Sequence, residues 1–371
     1  MVTTYPEGMK VRAAVQVGDG AIEVRQLDAP DVPPPGGALL RVEGSGMCGS
    51  DVEQYHGMTR RMGLHDYPVI PGHEIVGRIA TIGDGARQRW GVDVGSRVAV
   101  HGMRPCGACE GCLAARSCTQ TFSYGFHSST GGPGLWGGYA EVLELTPSTV
   151  LVPMPEHVSI QDAVFFNPLA AGFDWGVRVA GTQPGDTVLV LGSGQRGIAC
   201  LIAALEAGAA QVIVTGLARD RAKLDLALEF GASAALIDGV DDIPAAVRNR
   251  TGGAGADRVI DTTPLATEPV LTALEAAARG AVIVLGGLKD KNTVPSFPVD
   301  LVIRKTLHVV GVLSASTAAV ERAVDTIATG RYPLHRLHSH TLGLDQVGWA
   351  IELLGGERED ATPVMHVTVV P

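Results

Sequence analysis

The sequence is poor in aromatic residues (5%) and in charge (18%), while 46% of its positions are hydrophobic. That balance excludes a chain kept disordered by its own polarity and implies a soluble globular protein with a well-filled interior. Positive charge is in deficit: 29 Lys and Arg against 39 Asp and Glu leave a net charge of −10. Nucleic acid or an anionic membrane is therefore excluded as the main partner, although a local basic pocket for a phosphate is compatible. The most apolar long stretch, Ile198 to Val214, is interrupted by Glu206 and by glycines, so no membrane span is expected. Met1 to Lys10 lacks the apolar core of a secretory signal, and a cytoplasmic location is the expectation.

Length is not lacking. At 371 residues the chain exceeds one comfortable core, and two domains are expected. The 48 glycines point to many tight turns and close backbone approaches. The first 150 residues read as β-rich, with short apolar or alternating runs at Val11–Val17, Leu39–Val42, Glu74–Ile82, Arg97–His101 and Tyr139–Leu145. Near residue 160 the character changes to alternating helix-like and strand-like segments. Ile160–Ala180, Thr187–Leu191, Ile198–Ala207, Gln211–Thr215 and Ala222–Phe230 come first, and strands at Arg258–Asp261, Ala281–Leu285 and Thr306–Val310 come after them. Such alternation implies right-handed βαβ units and a parallel sheet. After Val310 come a helix pattern, Ala318–Ala328, and strand-like Thr341–Leu344 and Val364–Val370. This tail is short for a third domain and is expected to fold back onto the first.

The strand Thr187–Leu191 runs into Gly192-Ser193-Gly194-Gln195-Arg196-Gly197 and then an apolar helix. In that context a GxGxxG segment predicts a dinucleotide loop. Gly192 permits the turn, Gly194 admits a pyrophosphate close to the backbone, Gly197 lets helix and strand pack, and the helix N-terminus offers N–H groups to phosphate. The next strand should end on a carboxylate for the ribose hydroxyls of NAD, but that position is Gly216. Arg219 and Arg221 could pair with the 2′-phosphate of NADP, or form a solvated helix face. Asp220 could serve the ribose instead, so both cofactors stay open.

Cys106-x2-Cys109-x2-Cys112-x5-Cys118 places four soft ligands within thirteen residues, the pattern of a closed structural zinc site rather than of two disulfides. A second constellation is dispersed: Cys48 in Cys48-Gly49-Ser50-Asp51, His73 and Glu74 in Gly72-His73-Glu74-Ile75-Val76-Gly77, and Asn167 before Pro168. Singly, each is a weak signal.

Together they carry a resemblance. Gly72-His73-Glu74-x2-Gly77-x5-Gly83-x2-Ala86, the Cys48 segment, the four-cysteine loop, Gly137-Gly138-Tyr139-Ala140-Glu141 and the glycine-rich loop stand in the order found in zinc-containing alcohol dehydrogenases. The chain resembles the medium-chain dehydrogenase/reductase superfamily, near its polyol and threonine dehydrogenase branch, over essentially its whole length. The resemblance implies an α/β protein: a GroES-like β-rich catalytic domain over 1–160, a doubly wound Rossmann domain binding NAD(P) over 161–309, and a return to the catalytic domain over 310–371.

It further implies that Cys48 and His73 ligate a catalytic zinc and that Glu74 can enter or leave its coordination sphere. Ser50 would relay the substrate proton, and Asp51 would orient His73. Three positions depart from the pattern. Asn167 stands where the third ligand is Cys or Glu, Glu53 replaces a frequent histidine and leaves Glu53 or His56 to carry the proton onward, and the last gap of the cysteine loop is five residues rather than seven.

The expected reaction is hydride transfer between an alcohol, secondary or bulky, and NAD(P), with two zincs per chain and a homodimer or homotetramer as the assembly. Tyr55, Phe122, Tyr124, Trp136 and Leu313 are candidate pocket residues by the same resemblance, with core packing as the equal alternative for each. The competing readings are a zinc-independent, NADPH-dependent reductase whose catalytic metal site has decayed, and a non-enzymatic nucleotide-binding scaffold. A scaffold has no use for a relay hydroxyl beside a metal.

Overall fold

The computed structural model describes residues 8–104, 106, 109–114, 118, 121–128 and 134–371. The chain divides into two compact units. One comprises residues 1–166, 324–330 and 338–371, and the other residues 167–323 and 331–337.

The first unit is built on a seven-stranded sheet. Its strands run in the spatial order His338–Leu342, His366–Val369, Ala38–Met47, Glu74–Ile82, Arg97–Val100, Leu151–Pro153, with Val142–Leu145 also paired to Ala38–Met47. All neighbours are antiparallel except the first two. Apolar residues recur on these strands because both faces are covered: Leu40, Ile75, Ile79, Val98, Val100 and Leu143 pack in one cluster with Tyr124. The register brings distant segments together. Gly46 lies opposite Glu74 on one side and Thr368 on the other, so the chain's last strand and the strand that begins after His73 flank the same glycine.

The second unit carries the expected parallel sheet, in the order Ala234–Ile237, Gln211–Gly216, Thr187–Leu191, Ala256–Asp261, Ala277–Leu285, His308–Gly311. Thr187–Leu191 is buried throughout, as a central strand with helices on both faces must be. The strand order reverses between Thr187–Leu191 and Ala256–Asp261, and ligands of such sheets bind outside the carboxyl ends of the strands at that switch. The helices are finished locally. Asp242 caps Ile243–Arg250 by accepting from the Ala245 N–H at 2.9 Å. Lys305 donates to the carbonyls of Leu274, Glu275 and Ala277 at the end of Glu268–Ala276.

Two local expectations change. The single helix over 160–180 divides into Ile160–Ala163, Phe166–Phe173 and a π-helical turn, Asp174–Val179. Pro168 lacks the N–H a continuous helix needs and fits only a first turn, so the helix restarts around it. The strand expected from Tyr139 begins at Val142, because Gly138 and Tyr139 donate their N–H groups to the carbonyls of Gly72 and Pro71. Among the described residues no helix is long and apolar enough to cross a membrane.

Candidate metal and cofactor sites

The strand Ala38–Met47 delivers Cys48, which is extended (φ −131°, ψ 177°) and caps the helix Gly49–Tyr55. Asp51 closes this turn, its Oδ2 accepting from the Cys48 N–H at 2.9 Å. Its other oxygen, Oδ1, lies 3.6 Å from His73 Nδ1. One buried carboxylate therefore fixes the cysteine backbone and faces the far side of the histidine ring, which leaves His73 Nε2 pointing at Cys48 Sγ, 3.3 Å away. Ser50 Oγ completes a triangle, 2.8 Å from Cys48 Sγ and 3.2 Å from His73 Nε2.

His73 depends on Gly72. Its φ of +89° is in the left-handed region, and a Cβ there would lie 2.7 Å from the Tyr139 ring. Glu74 opens the next strand and is fully buried. One ligand atom each from Cys48, His73 and Glu74 lie within 4.8 Å of one another. Burial pushes the Asp51 carboxyl up, opposed by the nearby His73 and the Cys48 N–H. Burial and the negative neighbours Asp51, Cys48 and Glu74 also hold the Tyr139 hydroxyl well above its ordinary range, so it remains a donor. A thiol, an imidazole and a carboxylate buried together, with a carboxylate behind the imidazole, fit a zinc ion.

The four-cysteine loop forms a second cluster whose ligand atoms also lie within 4.8 Å of one another. The sulfurs of Cys106 and Cys112 are 3.8 Å apart and those of Cys109 and Cys118 are 3.9 Å apart, far beyond a disulfide bond, and no cysteine is in a disulfide. Backbone N–H groups of Cys106, Cys109 and Cys112 donate to the sulfurs of Cys118, Cys106 and Cys109. Such donors fix the sulfurs in place, and the set fits a closed tetrahedral metal.

In the second unit, Gly192 turns with φ +105°, where a Cβ would meet Thr262 Oγ1 at 2.6 Å. A Cβ on Gly197 would overlap the Gly192 carbonyl oxygen, whereas one on Gly194 would meet nothing. The loop is thus closed where helix meets strand and open where a pyrophosphate would lie, and Gly194 caps the helix Gln195–Glu206. Ser193 is buried, and a Cβ on Gly216 would come within 2.5 Å of its hydroxyl. Gln195 is buried at the helix start. Arg219 and Arg221 are exposed, Arg221 pairing with Asp225 at 3.2 Å. Asp220 is turned to its own loop, accepting from Leu217 N and pairing with Lys223.

Asn167 belongs to the second unit, and its Oδ1 accepts from Arg196 Nη2 at 3.1 Å. His56 sits at the exposed end of its helix, 2.5 Å from a Glu357 carboxylate oxygen, and Glu53 is half-buried on the same helix. Tyr124 is fully buried and bonds Thr149 Oγ1 at 2.6 Å, Tyr55 lies in a core cluster and donates to Glu352, and Phe122 packs edge-on to Tyr124 and Trp136. Leu313 is exposed, in the second unit. Core packing holds the tyrosines. A further aromatic residue beside the site is Phe126, whose ring centroid lies 5.2 Å from that of His73. Sequence reasoning missed it for want of any pattern around it.

Residues 34–156 match the family model "Alcohol dehydrogenase GroES-like domain", and residues 197–329 match "Zinc-binding dehydrogenase". The chain is 39% identical to a Mycobacterium tuberculosis protein named "Probable alcohol dehydrogenase", over 98% of this chain and all of that protein. Sorbitol dehydrogenase of Bacillus subtilis is 27% identical, with 95% of each chain covered. Among solved structures, an NADP-bound protein of Sinorhizobium meliloti classed as a zinc-binding dehydrogenase superposes with a TM-score of 0.85 at 28% identity, covering 98% of this chain and 100% of that one. With both halves matched, and with a thiol, imidazole and carboxylate gathered beside the Ser50 hydroxyl, the chain belongs to the zinc-binding alcohol dehydrogenases, oxidoreductases that act on alcohols with NAD(P).

Proposed function

We propose that this chain interconverts a secondary or bulky alcohol and its carbonyl compound, with Cys48, His73 and Glu74 holding the catalytic zinc and the four cysteines holding a structural one. The observation that carries the reading is the buried Cys48–His73–Glu74 cluster with the Ser50 hydroxyl inside it. When bound, the zinc supplies Lewis-acid polarisation of the substrate hydroxyl, and the nicotinamide supplies the hydride acceptor.

The chain's own residues bind, orient and move the proton. Asp51 holds the His73 tautomer by facing Nδ1, so that Nε2 stays turned towards Cys48. Ser50 Oγ takes the proton leaving the substrate hydroxyl and passes its own onward, which a hydroxyl does without storing charge. Glu53 and His56, on the same helix, are the candidates for the onward path. The backbone N–H groups at Gly194, Gln195 and Arg196 receive the pyrophosphate, and Phe126 offers an apolar wall beside His73 that suits an alcohol with a hydrocarbon flank.

The reading includes a cytoplasmic enzyme that assembles as a homo-oligomer. The edge strand His308–Gly311 supports the latter: all four residues are exposed and, among the described residues, no further strand pairs with its outer side, which a second copy could take.

The test is an NAD- and NADP-coupled screen over secondary alcohols, polyols, and aromatic and terpenoid alcohols, with zinc measured on the same sample. Turnover with two zincs per chain is expected. One zinc per chain in fully active protein would favour the zinc-independent reductase instead.

A further inference from the structure

His366 lies on the chain's last strand and is 1% exposed. Its Nε2 stands 3.7 Å from Glu74 Oε2, and Glu74 is wholly buried. The sheet arranges this meeting. Gly46 lies between the two strands in register, and a Cβ on it would overlap Glu74 Oε2 and come 3.1 Å from His366 Nε2. Only a glycine leaves the line between carboxylate and imidazole open. The ring is fixed from another side by Phe165, edge-on at 5.3 Å between centroids. Among the described residues, His366 Nε2 has no hydrogen-bond partner. A buried ring nitrogen, otherwise unsatisfied, is thus aimed at the carboxylate of the metal cluster.

We propose that His366 is a positioning residue for Glu74, fixing its carboxylate within reach of Cys48 and His73. The inference rests on the reading of Glu74 as a zinc ligand. A carboxylate withdrawn from water is costly unless a donor or positive group attends it. A ligating carboxylate is in turn oriented by the groups behind it, and loss of such a group weakens metal binding about 10–100-fold. His366 supplies that group from the opposite end of the sequence, 292 residues beyond Glu74 by subtraction of their numbers.

The experiment uses the full chain as wild type, His366→Leu, His366→Gln, Gly46→Ala and Cys48→Ala. Zinc per chain is measured after dialysis against graded dipicolinate, with thermal unfolding as the check on folding. The four-cysteine zinc is expected to be retained in every folded variant. His366→Leu should weaken the other zinc about 10–100-fold, His366→Gln, which keeps a side-chain N–H, should recover part of that, and Gly46→Ala should reproduce the loss with His366 intact. A lesser unfolding temperature with unchanged zinc affinity in the folded His366 variants would make the residue structural only and overturn the proposal. If Cys48→Ala keeps both zincs, the reading of the metal site fails first. If Cys48→Ala loses one while the His366 variants bind as wild type, only the role of His366 fails.

Discussion

Asn167 Oδ1 accepts a hydrogen bond from Arg196 Nη2 at 3.1 Å, and the same guanidinium lies over the Trp175 ring, 5.4 Å from its centroid. The amide at the position expected to give a third ligand is thus engaged by a residue of the glycine-rich loop. Asn167→Ala is expected to keep two zincs per chain and to raise the KM for NAD(P) roughly fivefold, the effect of about 1 kcal/mol for one hydrogen bond. Atomic absorption and steady-state kinetics on the variant check this; loss of one zinc would place Asn167 in the coordination sphere.

Asp51 acts on two partners at once, the Cys48 N–H and His73 Nδ1. Asp51→Asn keeps the shape but removes the charge behind the histidine. The zinc at Cys48 should bind about 10–100-fold more weakly, and kcat should fall with it. Chelator competition checks the affinity, and an unchanged value would remove Asp51 from the site.

The glycines of the cofactor loop should separate binding from folding. A side chain at Gly194 meets open space, so Gly194→Val is expected to leave the unfolding temperature nearly unchanged while raising the KM for NAD(P) at least tenfold. A side chain at Gly197 collides with the Gly192 carbonyl, so Gly197→Ala should lower the unfolding temperature itself. Thermal melts with and without cofactor distinguish the two, and equal effects in both variants would contradict the assignment.

His338 is pushed down to about 4, first by burial and then by the nearby charges of His366 and His340. An ordinary histidine takes its proton near 6.5, so on acidification the unfolded chain binds this proton before the folded one does. Its contribution to stability is therefore constant above about pH 6.5 and is lost progressively as pH falls towards about 4. His338→Gln should narrow the gap between unfolding temperatures at pH 7.5 and pH 5. A gap as wide as in wild type would show that His338 does not titrate in this window.

The features legible in the sequence are those that depend on local pattern. Thr187–Leu191 and Glu74–Ile82 match their expected bounds to the residue, because a buried apolar run bounded by glycine or by a motif leaves little freedom. The cysteine loop and the Cys48, His73 and Glu74 segments are legible because ligand spacing is a chemical constraint. Helices such as Ile243–Arg250 and Val347–Gly355 are not, because eight and nine residues give too short a window for a helical period to stand out. The engagement of Asn167 by Arg196, the meeting of His366 with Glu74 and the contact of Phe126 with His73 are products of tertiary packing. No spacing within one segment encodes them.

The central claim is that a metal ion sits among Cys48, His73 and Glu74 in the working enzyme. Anomalous X-ray diffraction at the zinc edge, on crystals of protein shown to turn over an alcohol with NAD(P), tests it most directly. Two peaks per chain are expected, one bonded to Cys48 and His73 with Glu74 in its coordination sphere, the other among Cys106, Cys109, Cys112 and Cys118. Active protein with a peak at the four cysteines and none at Cys48 would contradict the account.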